Sequence, residues 1–81
     1  MELQEVLDRL TPIFREVFDS DTLVATATLD ANQVPGWDSL NNLRLLVSIE
    51  QKMGVTFNAV EVPDLKNVGD LARRIIEKLG G

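Results

Sequence analysis

The sequence predicts an all-α fold: a small four-helix bundle with three main helices, one short helix and a long first loop. Three observations predict it. Apolar residues recur at helical spacing in three separate stretches. Asp38 and Asn67, residues suited to capping, stand at the head of two of them. Strand signals lack partners: Thr22, Val24, Thr26 and Thr28 have β propensity, but no second run is available to pair with them.

In the first stretch Leu3, Val6, Leu7, Leu10, Ile13, Phe14, Val17 and Phe18 keep a helical period without a break. Pro12 falls inside this pattern and is expected to kink the helix rather than end it, because the apolar phase continues past it. The alternative is a second short helix capped by Thr11, with Pro12 at its first position. Residues 19–37 show no sustained period and contain the loop formers Asp19, Ser20, Asp21, Asn32, Pro35 and Gly36. So long a connection is unusual in a small domain. It is either functional or pinned by buried residues such as Leu23, Leu29 and Val34. Asp38 then caps a second helix, and Gly54 stops it. Residues 55–66 form a connector in which Phe57, Val60, Val62 and Leu65 are expected to point inward, with one short helical turn before Pro63. Asn67 caps the last helix with Asp70 three residues on, and Val68, Leu71, Ala72, Ile75, Ile76 and Leu79 make one apolar stripe.

The second helix has too many apolar residues for one stripe. At about 100° per residue, Leu45, Leu46, Ile49 and Met53 share a face toward the core. Leu40, Leu43 and Val47 form a second row about 140° away. Glu50 flanks that row on one side, Arg44 and Gln51 on the other. The row is either covered by a neighbouring loop or exposed as a docking strip for other proteins.

Composition narrows the function. A length of 81 residues implies one domain, residues 1–81, with a small core. A net charge of -5 argues against nucleic acid, which needs a basic face. The acidity is uneven: residues 1–38 hold eight acids and two bases, residues 39–81 five acids and six bases. No apolar run approaches the roughly 18 residues of a membrane span. The start, Met1-Glu2-Leu3-Gln4-Glu5, lacks the basic and apolar regions of a signal peptide, so a soluble cytoplasmic protein is expected. There is no cysteine, hence no disulfide framework and no thiolate chemistry from the chain itself.

The segment Gly36-Trp37-Asp38-Ser39-Leu40 reads as the end of a loop and the start of a helix, with a serine at the boundary. A hydroxyl there lies beside unpaired backbone N–H groups and suits a permanently attached phosphate. Serine at a helix start is also an ordinary cap residue, which needs no chemistry. A catalytic nucleophile is poorly supported: the chain has no histidine or cysteine to act as base, Asp38 is adjacent and its side chain diverges, and no Gly-x-Ser-x-Gly elbow is present. No catalytic residue is therefore assigned. The scattered carboxylates offer no metal site. The terminal Gly80-Gly81 would suit a carrier activated at its C-terminus on a strand-rich fold, but here it directly follows a strong helix and reads as a helix stop.

These residues carry a resemblance. The first amphipathic helix, the long loop, Gly36-Trp37-Asp38-Ser39-Leu40, a second helix of about four turns and the Asn67-Val68-Gly69-Asp70-Leu71 helix start make the chain resemble the acyl carrier protein family over nearly its whole length. The resemblance implies that Ser39, supported by Asp38, bears 4′-phosphopantetheine, installed from coenzyme A by a phosphopantetheinyl transferase. It also implies acyl cargo held as thioesters for acyl-loading and acyl-transferring enzymes. The chain would be a monomeric carrier rather than an enzyme. In the family the acyl chain can fold into the bundle, for which Leu46, Ile49, Leu65, Val68 and Ile75 are candidate lining residues. One departure concerns charge. Family members serving fatty acid synthesis usually carry a strongly acidic second helix, whereas residues 39–53 here hold only Glu50 against Arg44 and Lys52, with Asn41, Arg44 and Gln51 where acids are frequent. Partners are expected to read Trp37 and the Leu40/Leu43/Val47 row, with an acidic group facing Arg44. That points to a specialised fatty acyl, lipid or polyketide pathway. The alternatives are an aminoacyl or peptidyl carrier, or a helical interaction module without a cofactor.

Overall fold

Pro12 removes one backbone donor from the first helix without ending it: α1 runs unbroken over Leu3–Val17. The structure, a computed structural model, describes residues 2–80; Met1 and Gly81 lie outside the described residues, and with them one end each of the Met1–Glu5 segment and the Gly80-Gly81 pair. Thr11 lies inside the helix rather than capping a new one. Its Oγ1 donates to the Leu7 carbonyl at 3.1 Å and accepts from the Ala25 N–H at 3.0 Å, so it ties the helix to the following loop. The helix stops at Asp19, which takes the left-handed conformation (φ 51°) usually left to glycine, while the Ser20 N–H reaches back to the Arg15 carbonyl at 3.0 Å.

The long loop is pinned rather than free. Ala25, Leu29 and Val34 are buried and Leu23 half-buried, while Val24 turns to solvent. Its backbone also serves the third helix. The Leu29 carbonyl accepts from the Val68 N–H at 2.8 Å, and the Ala27 carbonyl from the Gly69 N–H at 2.9 Å. These are two of the donors that a helix start leaves without an internal acceptor.

The other α-helices are α2, Ser39–Met53, and α3, Val68–Lys78. Asp38 and Asn67 cap them as expected, accepting from the Asn41 and Asp70 N–H groups, and Gly54 closes α2 in the left-handed conformation (φ 70°). Helix α1 packs against both α2 and α3. Phe14, Leu10, Leu45, Ile49, Ile75, Val6 and Val68 are fully buried among them. Each such side chain contributes about 1.5–3 kcal/mol relative to exposure, which lets a chain of this size hold its fold.

The expected fourth helix is not an α-helix. Among the described residues the short elements are two 3-10 turns, Ala31–Gln33 and Val62–Asp64, and there is no strand. The second turn includes Pro63 rather than preceding it, since proline's fixed φ suits a turn's first residues. Phe57, Val62 and Leu65 pack against the core, but Val60 is 88% exposed. It sits at the tip of a turn closed by the Glu61 N–H on the Asn58 carbonyl, and the tip faces away from the bundle. Leu79, the last of the α3 stripe, is also exposed, past the end of the helix.

Glu61 fastens this connector. It is the one buried charged residue among the described residues, and its carboxylate accepts from the Asn58 N–H at 2.9 Å and pairs with the Lys78 ammonium at 3.0 Å. The Arg74 guanidinium stands 3.6 Å away. The Asn58 N–H and then Lys78 hold the Glu61 carboxyl below the usual carboxylate range, against the opposing effect of desolvation.

Candidate functional site

The approach to Ser39 is built by a tight turn and an aromatic wedge. Pro35 and Gly36 occupy the centre of a turn closed by the Trp37 N–H on the Val34 carbonyl at 3.2 Å. Gly36 has φ 85°, which the third position of a type II turn requires. The turn drives Trp37 inward: its ring meets Phe14 edge-on at 5.5 Å and lies 5.6 Å from Phe18, and its indole N–H donates to Asn42 Oδ1 at 3.0 Å. Trp37 is thus half-buried, turned to α1, and does not continue the exposed row of α2.

Beyond Trp37 the chain extends through Asp38, whose carboxylate accepts from the Asn41 N–H at 2.9 Å. Asn41 reciprocates through its side chain, which donates to the Gly36 carbonyl at 2.6 Å. An ionised aspartate there would have no donor for that carbonyl, a physical reason for an amide at this position. Ser39 is the first residue of α2 and is exposed. The backbone N–H groups of Ser39 and Leu40 have no acceptor among the described residues, so positive potential converges beside the serine hydroxyl. Next to it lies an open groove of about 340 Å³ between α2 and the connector, with Trp37, Asp38, Asn42, Leu65 and Lys66 in its wall. A phosphodiester on Ser39 fits this setting: it is reachable from solvent, faces amide donors and has room beside it. Lys66 escaped the sequence reading because a single lysine in a connector has no periodic signal.

Helix α2 has the two faces expected of it. Leu45, Leu46 and Ile49 are buried and Met53 half-buried. On the other side Leu40, Leu43 and Val47 are 65%, 60% and 49% exposed, so no loop covers the row. With Arg44 and Ser48 they meet Glu16 and Val17 of α1 across an open groove of about 450 Å³. Arg44 is exposed and has no ion-pair partner among the described residues. Glu50 is drawn the other way: half-buried, it accepts from the Phe57 N–H at 2.8 Å and braces the connector. Of the candidate acyl-lining residues, Leu46, Ile49, Val68 and Ile75 are closed in the core, and Leu65 reaches the groove beside Ser39. Among the described residues no His, Cys, Asp or Glu side chains cluster as metal ligands, and no helix is long and apolar enough to cross a membrane.

Ser39 thus stands exposed at the head of the middle helix of a small, strand-free helical bundle among the described residues. The solution structure of a holo acyl carrier protein from Geobacter metallireducens superimposes with a TM-score of 0.88, at 48% sequence identity, covering 93% of this chain and 86% of that one. The chain belongs to the acyl carrier protein family. Its members are carriers, not enzymes. Neither a protein-family model nor a curated protein matches the chain.

Proposed function

We propose that Ser39 is the attachment point of a 4′-phosphopantetheine arm, transferred from coenzyme A by a phosphopantetheinyl transferase, and that the chain presents acyl groups on this arm to loading and transferring enzymes. The single observation that carries the reading is the exposed Ser39 hydroxyl at the first position of α2, beside two unengaged amides and an open groove. When attached, the arm supplies the terminal thiol that a chain without cysteine lacks. The chain's own residues do the positioning. Asp38 and Asn41 fix the first turn of α2, and Trp37 anchors the loop that leads into it. The tether keeps cargo at high local concentration once a partner docks.

Docking is assigned to Leu40, Leu43 and Val47 with Arg44 at their edge, on a helix nearly without acids. That charge pattern favours a specialised fatty acyl, lipid or polyketide pathway. The proposed carrier is a monomeric cytoplasmic protein of one domain, residues 1–81. An aminoacyl carrier is the second reading: it would use the same attachment site with a different cargo and loading enzyme. Incubation with coenzyme A and a broad-specificity transferase is expected to add about 340 Da, the mass of the arm. Absence of the gain, or a gain that survives Ser39→Ala, sinks the assignment.

A further inference from the structure

We propose that Lys66 is the counter-charge of the arm: it lines the groove beside Ser39, and its ammonium pairs with the phosphodiester borne by the Ser39 oxygen. The inference rests on the reading of Ser39 as the attachment point. Two residues of opposite charge line that groove, Asp38 and Lys66. The Asp38 carboxylate is committed to the Asn41 N–H. A phosphodiester fixed on the adjacent residue places a second negative charge beside it, and Lys66 is the one cation in the wall able to offset both.

Lys66 is also uncommitted. Arg9, Lys52, Arg73, Arg74 and Lys78 are engaged by Glu5, Glu16, Asp70 and Glu61. Arg15 donates to the Leu23 carbonyl, and Arg44 lines the other groove, between α1 and α2. Lys66 forms no ion pair among the described residues, although Asp64 and Asp70 are close in sequence. Its backbone is held on both sides. Leu65 closes the 3-10 turn onto Val62, and Asn67 caps α3, whose first amides are bound by the loop carbonyls of Ala27 and Leu29. The side chain therefore swings from a fixed origin. Pairing there draws the arm across Leu65 toward α3 and leaves the Leu40/Leu43/Val47 row clear for a partner.

The test compares apo and holo protein by NMR, with holo prepared from coenzyme A and checked by mass. The Lys66 Nζ and Hε resonances are expected to shift on conversion to holo. The phosphorus resonance should move in Lys66→Gln and return in Lys66→Arg. Most of the Lys66 shift should vanish at about 1 M ionic strength, where the screening length falls to about 3 Å. Lys66 resonances identical in apo and holo protein overturn the pairing while leaving the attachment point intact. A shift seen only after succinyl cargo is loaded also overturns it, by assigning Lys66 to a cargo carboxylate. A wild-type chain that gains no mass removes the attachment point, and the inference falls with it.

Discussion

The Gly69 N–H donates to the Ala27 carbonyl at 2.9 Å, and a methyl group placed on Gly69 would stand 2.7 Å from that same oxygen. Loop and helix start are therefore in direct backbone contact, one residue after the Val68 N–H meets the Leu29 carbonyl. The contact anchors the loop to α3 ahead of the turn that leads to Ser39.

Gly69→Ala tests this contact. Alanine improves helix propensity by about 0.8–1.0 kcal/mol. The added carbon meets backbone rather than a flexible side chain, and relieving such overpacking costs about 1–3 kcal/mol, with the loop hydrogen bond strained as well. A net loss of about 1–2 kcal/mol is expected, read as a lower urea midpoint. A raised midpoint would mean that the loop yields without penalty.

Glu61 makes stability depend on acid. Its folded-state pKa lies below the ordinary value, so its contribution is fully present above the unfolded carboxyl pKa of about 4.3 and is lost as pH falls through the folded value. Below that point the Asn58 N–H, Lys78 and Arg74 face a neutral acid. Glu61→Gln is expected to be less stable than wild type at neutral pH, and the gap should narrow as pH drops into the acid range. Thermal melts of both proteins from pH 7 downward check this; a constant gap would remove Glu61 as the cause.

Legibility followed the range of the interactions. Caps are local, and Asp38, Gly54 and Asn67 stand where their side-chain chemistry or backbone freedom placed them. The two faces of α2 were readable because periodicity is a property of one helix. The Ser39 site was marked by its motif, but its surroundings were not. Trp37 turns toward Phe14 of α1 and Phe18 just past its end, 19 or more residues earlier in the chain, and nothing local to Trp37 announces that contact. Glu61 looked like any surface acid until α3 brought Lys78 and Arg74 to it. In the connector, apolar character alone predicts that Val60 points inward with Phe57, Val62 and Leu65, yet Val60 occupies a turn tip and faces out. Hydrophobicity gives a residue's preference, and turn geometry overrode it there.

The exposed row of α2 separates binding from stability. Leu43 is 60% exposed, so Leu43→Ala is expected to change folding stability by no more than about 0.5 kcal/mol. The same substitution should weaken association with the host's acyl-loading enzyme by more than about 1 kcal/mol, roughly fivefold, if the row is the centre of the interface. Arg44→Glu should weaken it less, by at most about 1 kcal/mol, as a charge at the rim does. Raising salt should weaken wild-type association only slightly, because α2 offers one free charge at this face rather than an acidic row. Titration calorimetry of holo protein with the enzyme at low and high salt reads all three. A steep salt dependence that disappears in Glu50→Gln would move the interface off this row and onto a carboxylate that is otherwise occupied by the Phe57 N–H.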